Sequence, residues 1–239
     1  MQGWNIYTDA LTEGFALLAS GTFDVWLIIA TSLRVSGVAV LLALLVGLPL
    51  GLLLGAKRFV GRRVALIVFN AGMGLPPVFV GLLVAMALSR RGPFGDLSLL
   101  YSQTAMVIAQ VIIATPIVVA ISAAAISAVP RELRMQAVAL GAQPWRVALL
   151  TLKEARMGLI AAVAGGFGSI ISEVGAVQMV GGNLEGDTRV MTTAIVQYTR
   201  MGRYGQALAL ALVLMAIVIF VNVMLTSMQT SAEKWEGSR

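Results

Sequence analysis

The sequence predicts an all-α integral membrane protein with five transmembrane helices. Hydrophobic residues make up 59% of the 239 residues and charged residues 12%, whereas soluble domains average about 45–50% and about 25%. Segments 38–54 and 208–223 contain no charged residue, and a helix needs about 20 apolar residues to cross a bilayer. These segments therefore favour membrane spans over a soluble hydrophobic core.

The five apolar segments lie at about residues 26–56, 64–88, 103–129, 158–180 and 204–228. The first 20 residues mix apolar with acidic side chains, which is typical of a short surface helix. We therefore predict one transmembrane domain over residues 1–239. It has an extracytoplasmic or interfacial segment at 1–22, a cytoplasmic loop at 130–156 and a cytoplasmic tail at 229–239.

The distribution of basic residues predicts the orientation. The loops after spans one and three and the C-terminal tail together carry eleven of the 17 Lys and Arg residues. Cytoplasmic loops carry an excess of such residues, so we predict an N-terminus outside and a C-terminus in the cytoplasm. The same loops account for the net charge of +6, so this charge does not indicate nucleic-acid binding.

The composition also excludes several kinds of site. The chain contains no Cys and no His, which rules out disulfides, thiolate metal sites and histidine proton shuttles. It contains no G-x-x-x-x-G-K-[ST] sequence that would cradle nucleotide phosphates. No carboxylate cluster has a spacing that suits acid–base or metal chemistry. We therefore expect no enzyme activity, catalytic residue, metal or cofactor in this chain.

The predicted cytoplasmic loop has an unusual pattern. Segment 129–155 reads VPRELRMQAVALGAQPWRVALLTLKEA, which predicts a short amphipathic helix turned back at Gly141, because glycine permits a positive φ. Two interpretations fit. The helix lies among the headgroups, held by its arginines, or it docks on a cytoplasmic partner and transmits that partner's motion.

This loop resembles the cytoplasmic signature of ATP-binding-cassette (ABC) importer permeases, which is E-A-A, then L-G, then L-P. Residues 135–137 (MQA) take the place of E-A-A, and residues 140–142 (LGA) match the L-G part of the signature. Leu152 and Lys153 take the place of L-P. The first Glu and the Pro of the signature are therefore replaced. The resemblance implies docking on a separate ATPase that binds ATP and magnesium. The implied coupling residues are Glu132, Gln136, Ala137, Leu140, Gly141, Ala142 and Trp145.

Further stretches resemble molybdate and tungstate permeases. GLPPV at 74–78 and RRGPFG at 90–95 are similar to their L-P-P…G…R-R-G-P-x-G run, and EVGA at 173–176 stands at their E-x-G-A. GGN at 181–183 and TRVMTTAI at 188–195 most resemble the tungstate-uptake branch. The resemblance thus favours a tungstate permease, with a molybdate or sulfate ABC permease as the alternatives.

The resemblance implies a type I ABC importer permease in a prokaryotic inner membrane. It also implies two ABC ATPase subunits and an extracytoplasmic oxyanion-binding protein as partners. We predict a homodimer, because five helices are few for shielding a hydrophilic path from lipid and a symmetric dimer encloses one on its axis. An ion-coupled secondary transporter is the alternative of another class. Such carriers often contain internal repeats, and five spans do not divide into equal halves.

The predicted path and gate residues lie in spans two and four and just after span four. Pro76 and Pro77 must break or kink span two, which is either a wall of the path or a purely structural kink. Segment 181–193 fits an external loop by composition, whereas the resemblance favours a re-entrant gate whose N–H groups and hydroxyls bind the oxyanion. The candidates are Pro76, Pro77, Glu173, Gly181, Gly182, Asn183, Thr188, Arg189, Thr192 and Thr193.

Two charged residues lie within or beside the predicted spans. An uncompensated charge at Glu173 in span four would cost at least ~2.5–3.5 kcal/mol, so this residue must face protein, water or a partner. An acid would repel an anion, so we predict a structural or gating role for it. Three roles remain open for Arg34 in span one: snorkelling to the interface, pairing with Glu173, or offering its charge to the anion.

Overall fold

The computed structural model describes residues 3–20 and 23–236, and the regular structure of these residues is helical. The predicted all-α class is confirmed. The α-helices of the described residues are α1 (Gly3–Ser20), α2 (Phe23–Ala56), α3 (Arg62–Gly72), α4 (Pro77–Leu88), α5 (Gln103–Ala128), α6 (Arg131–Ala139), α7 (Pro144–Glu154), α8 (Arg156–Ile171), α9 (Gly175–Gly181), α10 (Met191–Arg200) and α11 (Tyr204–Glu236).

Three helices of this part of the chain are long and apolar enough to cross a membrane by themselves. They cover Asp24–Ala56, Gln103–Ala128 and Tyr204–Met228. Two further helix pairs, α3 with α4 and α8 with α9, pass the same test together but are bent by 100° and 56°. The structure therefore contains three to five candidate spans at the predicted positions, and the number five and the orientation stay predictions.

Prolines explain the sharper of the two bends. Helix α3 ends at Gly72, and α4 begins at Pro77 directly after Pro76. Proline lacks a backbone N–H and is well placed only in the first turn of a helix. The turn between the helices is closed by its own backbone, where Gly74 N–H donates to the Ala71 carbonyl at 3.0 Å and Leu75 N–H to the Gly72 carbonyl at 3.3 Å. The break predicted at Pro76 and Pro77 is confirmed.

The described residues fall into two compact units. Unit 1 takes them from Met1–Ala39, Pro76–Gln110 and Ile170–Val221, and unit 2 from Val40–Leu75, Val111–Ser169 and Asn222–Arg239. Helices α2, α5, α8 and α11 contribute residues to both units. The assignment of the whole chain to one transmembrane domain stays a prediction.

In unit 2, glycines allow α2 and α5 to pack closely. A Cβ atom on Gly51 would lie 2.5 Å from the Cβ of Ser122, and one on Gly55 would lie 2.7 Å from the Cβ of Ile126. Both distances are too short for real carbon atoms. Small residues four positions apart are a common means of bringing helices together where lipid removes the hydrophobic driving force. The close approach of α2 and α5 therefore depends on these two glycines.

In unit 1, the first turn of helix α10 is buried between α2 and α11. Its Met191 and Ala194 form a cluster with Ile28, Ile29 and Leu210. Helices α4 and α9 also cross closely, since a Cβ on Gly81 would lie 2.5 Å from the Cα of Ala176. Unit 1 thus packs α4 against α9 and α10 against the long helices.

We predict that Gly51→Ala destabilises the protein by about 1–3 kcal/mol, the usual cost of overpacking. That cost exceeds the gain of up to about 1 kcal/mol that alanine brings to a helix. The measurement is the thermal unfolding midpoint of the purified protein in detergent. Gly37→Ala, in the same helix, is the matched control, because a Cβ there meets no atom within 4 Å. Equal midpoints for the two variants would contradict the packing argument.

Candidate functional site

The short helix and the reversal that we predicted within residues 129–155 are present. Helix α6 (Arg131–Ala139) follows Pro130, and α7 (Pro144–Glu154) begins with a proline in its first turn. Between them Gly141 has a φ of +81°, and Ala142 N–H donates to the Ala137 carbonyl at 3.0 Å. This bond across a left-handed residue is the Schellman arrangement that ends helices. The reversal predicted at Gly141 is confirmed.

The turn presents apolar side chains to the surroundings. Leu140 is 88% exposed and Trp145 58%, while Met135 and Val138 on α6 are also exposed. The guanidinium of Arg146 stacks over the Trp145 ring at 5.2 Å. Exposed apolar patches rimmed by charge mark protein or membrane interaction sites. Of the predicted coupling residues, Ala137 and Ala142 are half-buried and the others are exposed: Glu132, Gln136, Leu140, Gly141 and Trp145.

Glu173 lies at the break between α8 and α9 and is half-buried. Its Oε1 accepts the N–H of Ala176 at 2.9 Å, in the first turn of α9, and its carbonyl accepts the hydroxyl of Thr192 at 2.9 Å. The first N–H groups of a helix have no partner within that helix, so the carboxylate satisfies one of them. The carboxylate thus caps the start of α9, and the structural or gating role of Glu173 stays a prediction.

Arg34 does not pair with Glu173 in this conformation. The side chain of Arg34 is exposed, and within the described ranges the ion pair of Arg189 with Glu185 is present but none joins Arg34 to Glu173. The exposed position of Arg34 leaves two of its predicted roles open, namely snorkelling to the interface and offering its charge to the anion.

The segment after α9 begins with a tight turn. Gly182 has a φ of +70°, and a Cβ there would lie 2.8 Å from the Tyr101 ring, so glycine is required on both grounds. The buried hydroxyl of Thr188 donates to the Gly181 carbonyl and accepts the N–H of Leu184 at 2.9 Å. This hydroxyl therefore closes the turn on itself and is directed away from open space.

Thr193 and Asn183 connect this turn to α10. The buried Thr193 hydroxyl donates to Asn183 Oδ1 at 2.8 Å and accepts the N–H of Val190 at 3.2 Å. Asn183, which has a φ of +56°, in turn donates from Nδ2 to Gln197 Oε1. A buried polar group without a partner costs about 1–3 kcal/mol. These side chains therefore hold the shape of the segment, and in this conformation their hydroxyls are already bonded.

Arg189 is the one charged side chain buried within this segment. It is 8% exposed and lies 3.3 Å from the carboxylate of Glu185. Its Nε has no hydrogen-bond partner in the part of the chain that the structure describes. Arg189 lines a small cavity together with Glu185, Asp24 and Tyr198. The positive charge of Arg189 is thus partly neutralised by acidic neighbours.

In unit 1, the start of α4 lies against the break between α8 and α9. Val78, beside Pro77 in the first turn of α4, lies against the start of α9, where a Cβ on Gly175 would be 2.5 Å from its Cγ2. Glu173 and Thr192 meet at the same break. The predicted residues therefore form two groups in unit 1. The first, which includes Glu173 and Thr192, surrounds the break. The second comprises the other candidates from Gly181 to Thr193, where the segment is folded on itself.

Sequence reasoning missed three polar residues beside Glu173. The buried Ser32 hydroxyl accepts the N–H of Met191 at 2.7 Å, at the start of α10. Gln110 Nε2 donates to the Ile170 carbonyl at 3.4 Å, and its buried Oε1 has no partner among the described residues. With Ser36 they line a small polar cavity together with Glu173 and Thr192. Polar residues four positions apart in an apolar span share a helix face, and this signal could have identified Ser32 and Ser36.

Residues 47–233 match the model of the family described as binding-protein-dependent transport system inner membrane component. A probable anion ABC transporter permease protein of Haloferax volcanii is 42% identical over 202 residues, covering 82% of this chain and 87% of that relative. The tungstate uptake system permease protein TupB of Peptoclostridium acidaminophilum is 40% identical over 225 residues, covering 92% and 99%. The molybdenum transport system permease protein ModB of Escherichia coli K12 is 30% identical over 178 residues, covering 71% and 78%.

Solved structures share the fold. A chain of the MetNI methionine ABC transporter in an inward-facing conformation has a TM-score of 0.70 at 19% identity, covering 87% of this chain and 96% of that one. A chain of a bacterial ABC transporter involved in the import of alginate has a TM-score of 0.74 at 20% identity. The match covers 90% of this chain and 83% of that one. The resemblance to ABC importer permeases predicted from the sequence is confirmed. The chain is a multi-pass membrane protein and belongs to the family of binding-protein-dependent transport system inner membrane components.

Proposed function

We propose that this chain is the membrane-spanning permease subunit of an ABC importer for tungstate. The observation that carries the proposal is the similarity to two tungstate uptake permeases, 40% and 35% identical over 92% and 91% of the chain. Molybdenum permeases are 28–30% identical and cover at most 75%. Molybdate is therefore the second candidate substrate, because its permeases are similar over a shorter stretch.

Coupling to the ATPase takes place at the α6–α7 turn. Leu140 and Trp145 are exposed there on a polar loop, and burial of these apolar side chains against a partner would lower the free energy. We assign this contact to the cytoplasmic ATPase, whose closure pushes the turn and moves the attached helices. The α6–α7 loop is anchored for this purpose, since Leu133 and Leu152 pack on the buried cluster of Ile126, Val129 and Ala155.

The gate lies at the break that Glu173 caps. Two hydrogen bonds join the start of α10 to the break and to α2: Thr192 donates to the Glu173 carbonyl, and the Met191 N–H donates to Ser32. Breaking them frees the Met191 N–H and the Thr192 hydroxyl, which are donors that can bond an oxyanion, and the Glu173 carbonyl, which can bond water. An oxyanion passing this point gains these two donors, while the carboxylate of Glu173 stays engaged as a helix cap.

The assembly that we propose has two copies of this chain, two ATPase subunits and an extracytoplasmic binding protein. The basic loops support an orientation with the N-terminus outside and the C-terminus inside. High-affinity selection of the anion then rests with the binding protein, since tungstate and molybdate have nearly the same size and charge. In this assembly ATP and magnesium are held by the partner chains.

Deletion of the gene tests the substrate. We expect intracellular tungsten to fall at least tenfold at trace supply while molybdenum is unchanged, and the wild-type gene to restore it. The measurement is elemental mass spectrometry of washed cells in a strain without another importer of these anions. An equal fall of both metals would replace the proposal by a shared molybdate and tungstate route. A fall of neither would contradict it.

The substitution Leu140→Asp tests the docking turn. A charge in place of the most exposed apolar side chain of this loop should abolish co-purification of the ATPase subunits and tungsten uptake. The amount of permease in the membrane should not change, because the side chain of Leu140 is exposed and contributes little packing to the fold. Val60→Asp is the matched control, since Val60 is fully exposed on another loop of unit 2. If the Leu140→Asp variant bound the ATPase subunits as well as the wild type does, the turn would be assigned to the headgroup region instead.

A further inference from the structure

A basic cleft lies in unit 2, where α2 and α5 end and α6 begins. Its cations are Lys57, Arg58, Arg62, Arg131 and Arg134, and no acidic side chain of the described residues lines it. The cleft has a volume of about 950 Å³, whereas a water molecule in the liquid takes up about 30 Å³. It therefore has room for an anionic group much larger than a single ion.

Two of these arginines are held in place by the protein. Arg62 donates from Nε to the Leu54 carbonyl at 2.6 Å and from Nη2 to the Ser127 hydroxyl at 3.3 Å. Arg134 donates from Nη2 to the Val129 carbonyl at 3.2 Å. Fixed guanidinium groups lose little side-chain freedom when they bind a planar or tetrahedral oxyanion.

The Nε of Arg134 is buried and has no hydrogen-bond acceptor within the described ranges. Buried donors in folded proteins nearly always have an acceptor. A bound anion would supply the acceptor that this N–H lacks. Lys57, Arg58 and Arg131 are exposed around it. Their charges repel one another across the cleft, and an anion between them would relieve that repulsion.

The position of the cleft indicates the source of the anion. Ala56 and Ala128 are the last residues of two candidate spans, and both line the cleft. It therefore lies where hydrocarbon gives way to headgroups. Met135 and Val138 also line it, so apolar surface lies next to the cations, as an amphipathic molecule requires. Basic pockets at the cytoplasmic ends of transmembrane helices bind anionic headgroups.

We propose that the cleft binds a phosphate group, presented by an anionic phospholipid whose headgroup contacts Arg134 and Arg131. Free inorganic phosphate shares this chemistry and is the second possible source. The proposal concerns the permease chain alone and does not depend on which oxyanion is transported.

The test is native mass spectrometry of the full-length purified permease with phosphatidylglycerol or phosphatidylcholine. We expect at least a tenfold preference for phosphatidylglycerol in the wild type and its loss in Arg134→Gln. The double variant Lys57→Gln/Arg131→Gln should lose it as well. Both of its sites are exposed, so it keeps the test decisive if Arg134→Gln fails to fold. Arg90→Gln/Arg91→Gln, which removes two cations from unit 1, should keep the preference.

A second arm separates the two sources. Inorganic phosphate is titrated into the permease in nanodiscs of phosphatidylcholine and followed by calorimetry. Phosphate binding that the Arg134 variant loses, without any lipid preference, would support the phosphate site and assign it to the free ion. The proposal would be overturned if the wild type bound neither phosphatidylglycerol nor inorganic phosphate. It would also be overturned if the wild type and both cleft variants bound phosphatidylglycerol equally. Loss of the wild-type preference when the ATPase subunits are bound would also overturn it, because the cleft would then belong to that interface.

Discussion

The absence of water in the bilayer core governs the rest of this structure. Backbone N–H and C=O groups have no solvent partner there, so a chain that interrupts its helices must satisfy the freed groups by other means. This protein interrupts two candidate spans, at Pro76 and at Glu173. The carboxylate of Glu173 and the hydroxyl of Thr192 then take over bonds that a continuous helix would have made. The hydroxyl of Ser32 accepts the N–H of Met191 at the start of α10. These three side chains hold the break and the start of α10.

Close packing stabilises the association of the helices, because the hydrophobic effect does not drive helices together in lipid. Gly51 and Gly55 bring α2 and α5 together in unit 2, and Gly81 does the same for α4 and α9 in unit 1. In unit 1, the break at Glu173 therefore lies beside a tightly packed pair of helices. Such an arrangement suits a gate, because a few hydrogen bonds can exchange partners while the packed helices keep their form.

The features that could be predicted from the sequence are those with a local cause. Hydropathy located the five apolar segments, because the length of a span is set by the bilayer. Pro77 and Gly141 located a break and a reversal, because each residue restricts or frees its own φ. The ABC-permease signature was recognisable in spite of its replaced Glu and Pro, since the Leu-Gly turn and its placement between spans are kept.

The partners of the polar residues could not be predicted in the same way. Thr193 bonds Asn183, and Met191 bonds Ser32 across 159 positions of the chain, which only the tertiary fold determines. The composition of the segment from Gly181 to Thr193 suggested free hydroxyls, whereas those of Thr188 and Thr193 close turns in this conformation. Gln110 carried no signal in the sequence, because a single amide in an apolar span has many roles.

The most direct test of the account is transport by purified components. Proteoliposomes would contain the permease and its ATPase subunits, with magnesium and ATP inside and the binding protein with tungstate outside. Elemental mass spectrometry would measure the tungsten that the vesicles retain. The account predicts accumulation that requires both ATP and the binding protein. Accumulation driven by a proton or sodium gradient without ATP would contradict it, and so would ATP hydrolysis that tungstate-loaded binding protein leaves unchanged while no tungsten enters.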